Sequence, residues 1–205
     1  MINQYLKQSP LANLDPNQRQ KLDEKSNRGC VLIEKEYLSQ IILRVEIGYK
    51  KLIPLMKNEA RINLPIGPNS QVPFDKNFQS IWLSPDEWLI ASQTHDFTAA
   101  ANMIKSALKN IFFTTVNVTD SRSIFAVTGE NSQEILSKGC TIDLHPTIFK
   151  AGHVANTLLA NTPVVIQRAK TNHNFDSFDI FVFRSYAYHL WSWFEDASKE
   201  YEAVQ

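Results

Sequence analysis

Cys140, His145 and His153 place a thiol and two imidazoles within a short stretch of chain, and a thiolate–imidazole pair there would be a nucleophile. No orienting third group and no strained nucleophile turn accompanies them, so the sequence assigns them no catalysis. Asp120-Ser121-Arg122 also gathers polar groups, but it follows an apolar run and reads as a turn closed by an internal ion pair. Asp86 and Glu87 are adjacent acids in a tight turn. Neighbours there point apart, which suits turn formation rather than general acid–base work. The five histidines, His95, His145, His153, His173 and His189, fall at no metal-ligand spacing, and neither cysteine has a second thiol two to four residues away. With six glycines and neither phosphate-cradling glycine motif, the chain is expected to bind no dinucleotide itself. The expectation is therefore no catalytic residue, no cofactor ligand and no metal ligand.

The elements that hold these residues belong to a chain of 205 residues, enough for one large domain or two small lobes. Hydrophobic residues at 43% and aromatics at 11% supply a substantial core. Lys+Arg 21 balances Asp+Glu 21, so the basic footprint of a nucleic-acid binder is missing and no field draws the chain to an anionic membrane. Two lone cysteines, Cys30 and Cys140, read as reduced thiols of a cytoplasmic protein. The first residues lack the apolar core of a signal peptide, and no apolar run approaches the roughly 20 residues that span a bilayer.

Ile81-Trp82-Leu83-Ser84-Pro85-Asp86-Glu87-Trp88-Leu89-Ile90 sets two apolar, β-favouring runs around a turn, which predicts a hairpin. Strands are expected at 30–33, 41–47, 112–118, 123–127, 154–159, 163–168 and 178–184. Helices are expected at 49–59, at 99–108 with Asp96 or Thr98 as cap, at 132–138 with Asn131 as cap and Gly139 as stop, and at 185–201. Pro54 belongs near a helix start, and 63–77, with three prolines, reads as a loop. Strands and helices in mixed order, without regular β-α-β repetition, predict an α+β fold.

Residues 1–28 are polar and poor in apolar side chains. They read as a floppy tail or as an arm that orders against a partner through Tyr5, Leu6, Leu11 and Leu14. Arg184 ends an apolar strand; it either pairs with Asp120, Asp143 or Asp179, or anchors a subunit interface, where arginine is enriched. Trp191, Trp193 and Phe194 face the same choice between core and partner, since with Tyr186 and Tyr188 they spread around more of the last helix than one core stripe requires.

The wording of several segments goes further than their physics. Trp82-Leu83-x-Pro85-Asp86-Glu87-Trp88-Leu89 resembles a signature of the gamma subunit of heterotetrameric sarcosine oxidase. Later segments resemble the same family in the same order: Val118-Thr119-Asp120-Ser121-Arg122 with Val127-Thr128-Gly129, Lys138-Gly139-Cys140-Thr141-Ile142-Asp143-Leu144 with Phe149 and Gly152, and Phe181-Val182-Phe183-Arg184-Ser185-Tyr186-Ala187. The resemblance runs from about Leu43 to about Tyr201, with Ser9-Pro10-Leu11 as a loose match before it. Ser84, where the family favours Gly, and Glu130, where Pro is common, depart from the pattern and affect local turns.

That resemblance implies two lobes of antiparallel or mixed sheet with covering helices, related to the folate-binding domain of the glycine-cleavage aminomethyltransferase. The lobe boundary is expected near residues 109–117, within a gamma-type domain over 29–205. It implies a non-catalytic subunit that scaffolds alpha, beta and delta partners, in an enzyme that oxidatively demethylates sarcosine to glycine and passes the methyl carbon to tetrahydrofolate. FAD, FMN, NAD, zinc and tetrahydrofolate are then expected in the partner subunits and none in this chain. It also tips the reading of 1–28 toward an ordered arm. Two alternatives stand beside this: the equivalent subunit of an N-methylglutamate dehydrogenase, and a free-standing folate-binding aminomethyltransferase-like or tRNA-modifying protein, for which 205 residues is short.

Overall fold

A computed structural model describes residues 8–14, 29–35, 39–46, 48–75, 78–169 and 176–201. In chain order its elements are β1 (Val31–Glu34), β2 (Ser39–Val45), α1 (Tyr49–Asn58), β3 (Gln71–Asp75), β4 (Phe78–Ser84), β5 (Glu87–Ser92) and α2 (Phe97–Ala107). There follow β6 (Phe113–Asn117), β7 (Arg122–Gly129), α3 (Ser132–Ser137), β8 (Val154–Leu159), β9 (Thr162–Arg168), β10 (Asp176–Phe183) and α4 (Ala187–Ser198). They divide into two units: Met1–Lys35 with Asp120–Ile148 and Thr157–Gln205, and Glu36–Thr119 with Phe149–Asn156.

The second unit is framed by a sheet of order β3-β4-β5-β2-β6, antiparallel at every pairing. Ile41, Leu43 and Val45 alternate along β2, so all three point to one face. There they pack with Trp88 and Ile90 of β5, Leu52 and Met56 of α1, and Ala100 and Ile104 of α2. The hairpin forms as expected: Trp82 lies opposite Trp88, and a register shift between Trp82 and Ser84 opens the turn. Ser84 Oγ donates to Asp86 Oδ1 at 2.8 Å, and Val45 N donates to Asp86 O at 3.0 Å, which fastens the turn to β2. Trp88 is fully buried, and its Nε1 donates to Pro65 O at 3.1 Å, so the one polar atom of the largest core side chain is satisfied. Asp96 caps α2, its Oδ1 accepting from Ala99 N at 2.7 Å.

The first unit is framed by a sheet of order β1-β7-β10-β9-β8. Phe125 and Val127 of β7, Phe178, Ile180 and Val182 of β10 and Ile166 of β9 are buried, as are Leu190, Trp191 and Phe194 of α4. Trp191 meets Phe125 edge-on, ring centroids 5.9 Å apart, which joins helix to sheet. Arg168, itself buried, donates Nη1 to Leu144 O at 2.9 Å, pairs with Asp176 and lies over the Phe178 ring. It fixes the irregular stretch after α3 to the sheet.

Three local expectations need correction. Pro54 is the sixth residue of α1, on its exposed side, and lacks the N–H that would donate to the Lys50 carbonyl one turn back. Residues 71–75 form edge strand β3 rather than loop; Pro73 is tolerated because an edge strand need not pair on both sides. Asn131 precedes α3 but makes no side-chain cap, and Gly139 does not adopt the left-handed backbone. Its role is space: a Cβ there would meet Trp193 Cζ2 at 2.5 Å and Ala160 N at 3.1 Å. The expected positions Tyr5, Leu6, Ile47, Asn77 and His173 lie outside the described residues.

Candidate interaction surface

The reactive side chains serve local structure. Burial pushes the Cys30 thiol up to about 12 and raises that of half-buried Cys140, so both stay protonated at neutral pH. His145 Nδ1 bonds Thr147 Oγ1 at 2.8 Å within its own turn. His153 meets Phe149 edge-on at 6.0 Å, His95 stacks on Phe78 at 5.0 Å, and His189 Nε2 meets Ala160 O at 3.1 Å. Asp86 lies below the usual carboxylate range because Ser84 and then Arg44 hydrogen-bond its ionised form. Among the described residues no three His, Cys, Asp or Glu side chains gather as a metal site, and no helix is long and apolar enough to cross a membrane.

Where β10 runs into α4, the first unit presents a run of aromatic side chains outward. Phe183 is 42% exposed, Tyr186 44% and Tyr188 59%, all within six residues of chain. Arg122, opposite Phe183 in the β7–β10 register, lays its guanidinium over that ring at 5.1 Å. Tyrosine, phenylalanine and arginine are enriched at protein interfaces: the aromatic rings bring large contact area with few rotatable bonds, and the guanidinium brings a planar fork of hydrogen-bond donors that stacks on rings.

Of the two expectations for Arg184, a carboxylate partner within the chain gives way to a backbone carbonyl. Its Nη2 donates to Gln8 O at 2.6 Å, while Asp179 pairs with Lys35 at 2.6 Å and Asp143 Oδ1 accepts from His145 N at 2.8 Å. The segment it holds is ordered in its own right. Ser9 Oγ donates to Glu34 Oε2 at 2.5 Å and accepts from Leu11 N at 2.9 Å, and Leu11 is buried while Leu14 is half-buried. Leu11 therefore anchors the segment to this chain's own unit, not to another chain.

The aromatics of the last helix also divide in a way the spacing misjudged. Trp191 and Phe194 are buried in the unit's own core and leave no surface for a partner; Trp193 is half-buried against Gly139. Steps of three residues turn a helix by about 300°, so Tyr188, Trp191 and Phe194 drift by roughly 60° each and cannot share one face for long. The buried set, Ala187, Leu190, Trp191, Phe194 and Ser198, follows the true three-and-four spacing and leaves Tyr188 outside. That geometry was the signal for Tyr188 as outward; Tyr186 lies in the turn before the helix, which the spacing does not reach.

A family model described as "Sarcosine oxidase, gamma subunit family" matches residues 62–200. The chain belongs to that family. Among its relatives, the gamma subunit of sarcosine oxidase from Corynebacterium sp. (strain U-96) is 26% identical over 200 residues, 98% of this chain and 94% of the relative. The corresponding subunit from Corynebacterium sp. (strain P-1) is 31% identical over 121 residues, 59% of this chain and 57% of that one. Among solved structures, a chain of the heterotetrameric sarcosine oxidase from Corynebacterium sp. U-96, in complex with pyrrole 2-carboxylate, superposes with a TM-score of 0.82 at 26% identity, covering 98% of both chains. The glycine cleavage system aminomethyltransferase T from Bartonella henselae superposes with a TM-score of 0.56 at 12% identity, over 87% of this chain and 47% of that one. The latter is a likeness of fold alone. The α+β, aminomethyltransferase-like architecture expected of this family is thus the one observed.

Proposed function

We propose that this chain is the non-catalytic gamma subunit of a heterotetrameric sarcosine oxidase, holding alpha-, beta- and delta-type partners in register. The observation that carries the reading is the likeness to a chain of the solved heterotetramer over 98% of both, with a TM-score of 0.82. The assembled enzyme would oxidatively demethylate sarcosine to glycine and hand the methyl carbon to tetrahydrofolate, with FAD, FMN, NAD and zinc in the partner chains. The outward face of Phe183, Tyr186 and Tyr188, with Arg122 stacked at its edge, is in this reading the surface that meets a partner, and Arg184 supports it by fastening the 8–14 segment. Cys30 and Cys140, neither in a disulfide, fit the reducing cytoplasm.

The test is co-expression with genes for the three partner types and purification through a tag on this chain. A yellow complex whose oxygen uptake depends on sarcosine supports the reading. A colourless chain that copurifies with none of them overturns it.

A further inference from the structure

Of the four edges of the two sheets, three are guarded. β1 is four residues long, and its Glu34 receives Ser9 Oγ. β8 is backed by the chain after α3: Thr141 N donates to Leu158 O at 3.3 Å, and Thr141 and Thr157 hydroxyls meet at 2.8 Å. β3 contains Pro73 and Asp75 and shifts register between Val72 and Asp75. Such devices, namely short strands, charges, prolines, irregularities and covering segments, are how sheets avoid pairing with other chains.

Among the described residues β6, five residues long, has no charge, proline, irregularity or covering segment. From Asn110 to Thr119 the sequence contains no charge, no proline and no glycine, and β6 pairs with β2 without a register shift. Val116 is 49% exposed, and Phe112, just before the strand, is 79% exposed. The ladder also says which backbone groups are free. Val118 N donates to Gln40 O, so the alternation of an antiparallel pair turns the amides of Val118, Val116 and Thr114 toward β2. Phe113, Thr115 and Asn117 then present their N–H and C=O groups outward, with no backbone partner among the described residues.

We propose that the free edge of β6 is a strand-addition site, taken by an extended, uncharged segment of a partner subunit with β-branched or aromatic residues at alternate positions. Main-chain hydrogen bonds to Phe113, Thr115 and Asn117 supply the register. An uncharged edge selects an uncharged strand, since a buried charge would find no counterion there. Size selects a partner over a second copy: five residues span about 17 Å, and so short an edge buries far less than the roughly 1,200 Å² of a self-sufficient interface. The added strand must belong to a polypeptide already held elsewhere. This rests on the subunit reading above.

Thr115→Pro removes an outward N–H, which the chain's own sheet does not use. Val116→Lys puts a charge on the same edge and serves as a second probe should the proline variant fail to fold. Folding is read by circular dichroism and the thermal midpoint, assembly by the yield of partner subunits copurified with tagged chain. The proposal expects folded variants whose copurified partner falls at least tenfold. Variants that copurify at the wild-type level overturn the edge site and leave the subunit reading intact; wild-type chain that copurifies with no partner overturns both. A wild-type chain that dimerises alone, and that Val116→Lys returns to monomer, overturns the choice of a partner subunit over a second copy.

Discussion

Two aromatic-rich stretches of this chain, the hairpin Phe78–Ser92 and the strand-to-helix passage Phe183–Phe194, put the same residue types to opposite uses. In the hairpin the central aromatic points home: Trp88 is buried with its indole N–H satisfied by Pro65 O, and the turn acid is held by Ser84 and Arg44. In the passage the aromatics divide, Trp191 and Phe194 into the core and Phe183, Tyr186 and Tyr188 outward. The difference teaches that family-marking motifs serve unlike ends: the Trp82–Leu89 motif folds the chain, while the Phe181–Ala187 segment also leaves Phe183 and Tyr186 on the surface.

The largest effect that sharpens this contrast is Trp88→Ala. It removes a fully buried indole and should cost about 3–5 kcal/mol, read as a large fall in the denaturation midpoint, with assembly lost as a consequence. Gly139→Ala should cost about 1–3 kcal/mol, because the new methyl meets a ring atom of Trp193 and the Ala160 backbone at once. A thermal melt checks it. Tyr186→Ser with Tyr188→Ser should behave the other way: stability within about 0.5 kcal/mol of wild type, since both rings are exposed, yet assembly weakened tenfold or more, because truncating a dominant interface aromatic costs about 2 kcal/mol. Equal loss of stability and assembly would erase the contrast.

Smaller effects test the reading of the reactive groups. Cys140→Ala and His153→Ala should leave turnover of the assembled enzyme within about threefold; a loss near a thousandfold would place chemistry in this chain. Cys30 should resist alkylation in the folded protein at pH 8. Its folded value, about 12, lies above the ordinary 9.0, so its contribution to stability is complete below pH 9 and declines as pH rises toward 12. For Asp86 the sign reverses. Its depressed value means a contribution present above the ordinary carboxylate range and lost as pH falls through the folded value, and Asp86→Asn should remove that part of the acid dependence.

Much of the fold was legible because local signals agreed. Pro85-Asp86 between β-favouring runs could hardly be anything but a hairpin, and Asp96 ahead of the Ala100/Ile104 spacing marked the start of α2. Residues 71–75 were illegible since proline argues against a strand unless the strand is known to lie at an edge, which is a tertiary fact. The site was legible only by type. Arg184 was singled out, but its bond to the Gln8 carbonyl spans 176 positions, and no local pattern encodes such a pairing. Leu11 and Trp191 were weighed for a partner and belong to the core because burial depends on what the rest of the chain brings against them.

The most direct test of the central claim is hydrogen exchange of the backbone amides, compared between the free chain and the complex formed on co-expression. The account predicts new protection over 183–189, with the hairpin 78–92 unchanged. Unaltered exchange over 183–189 together with protection gained at the hairpin turn would contradict it.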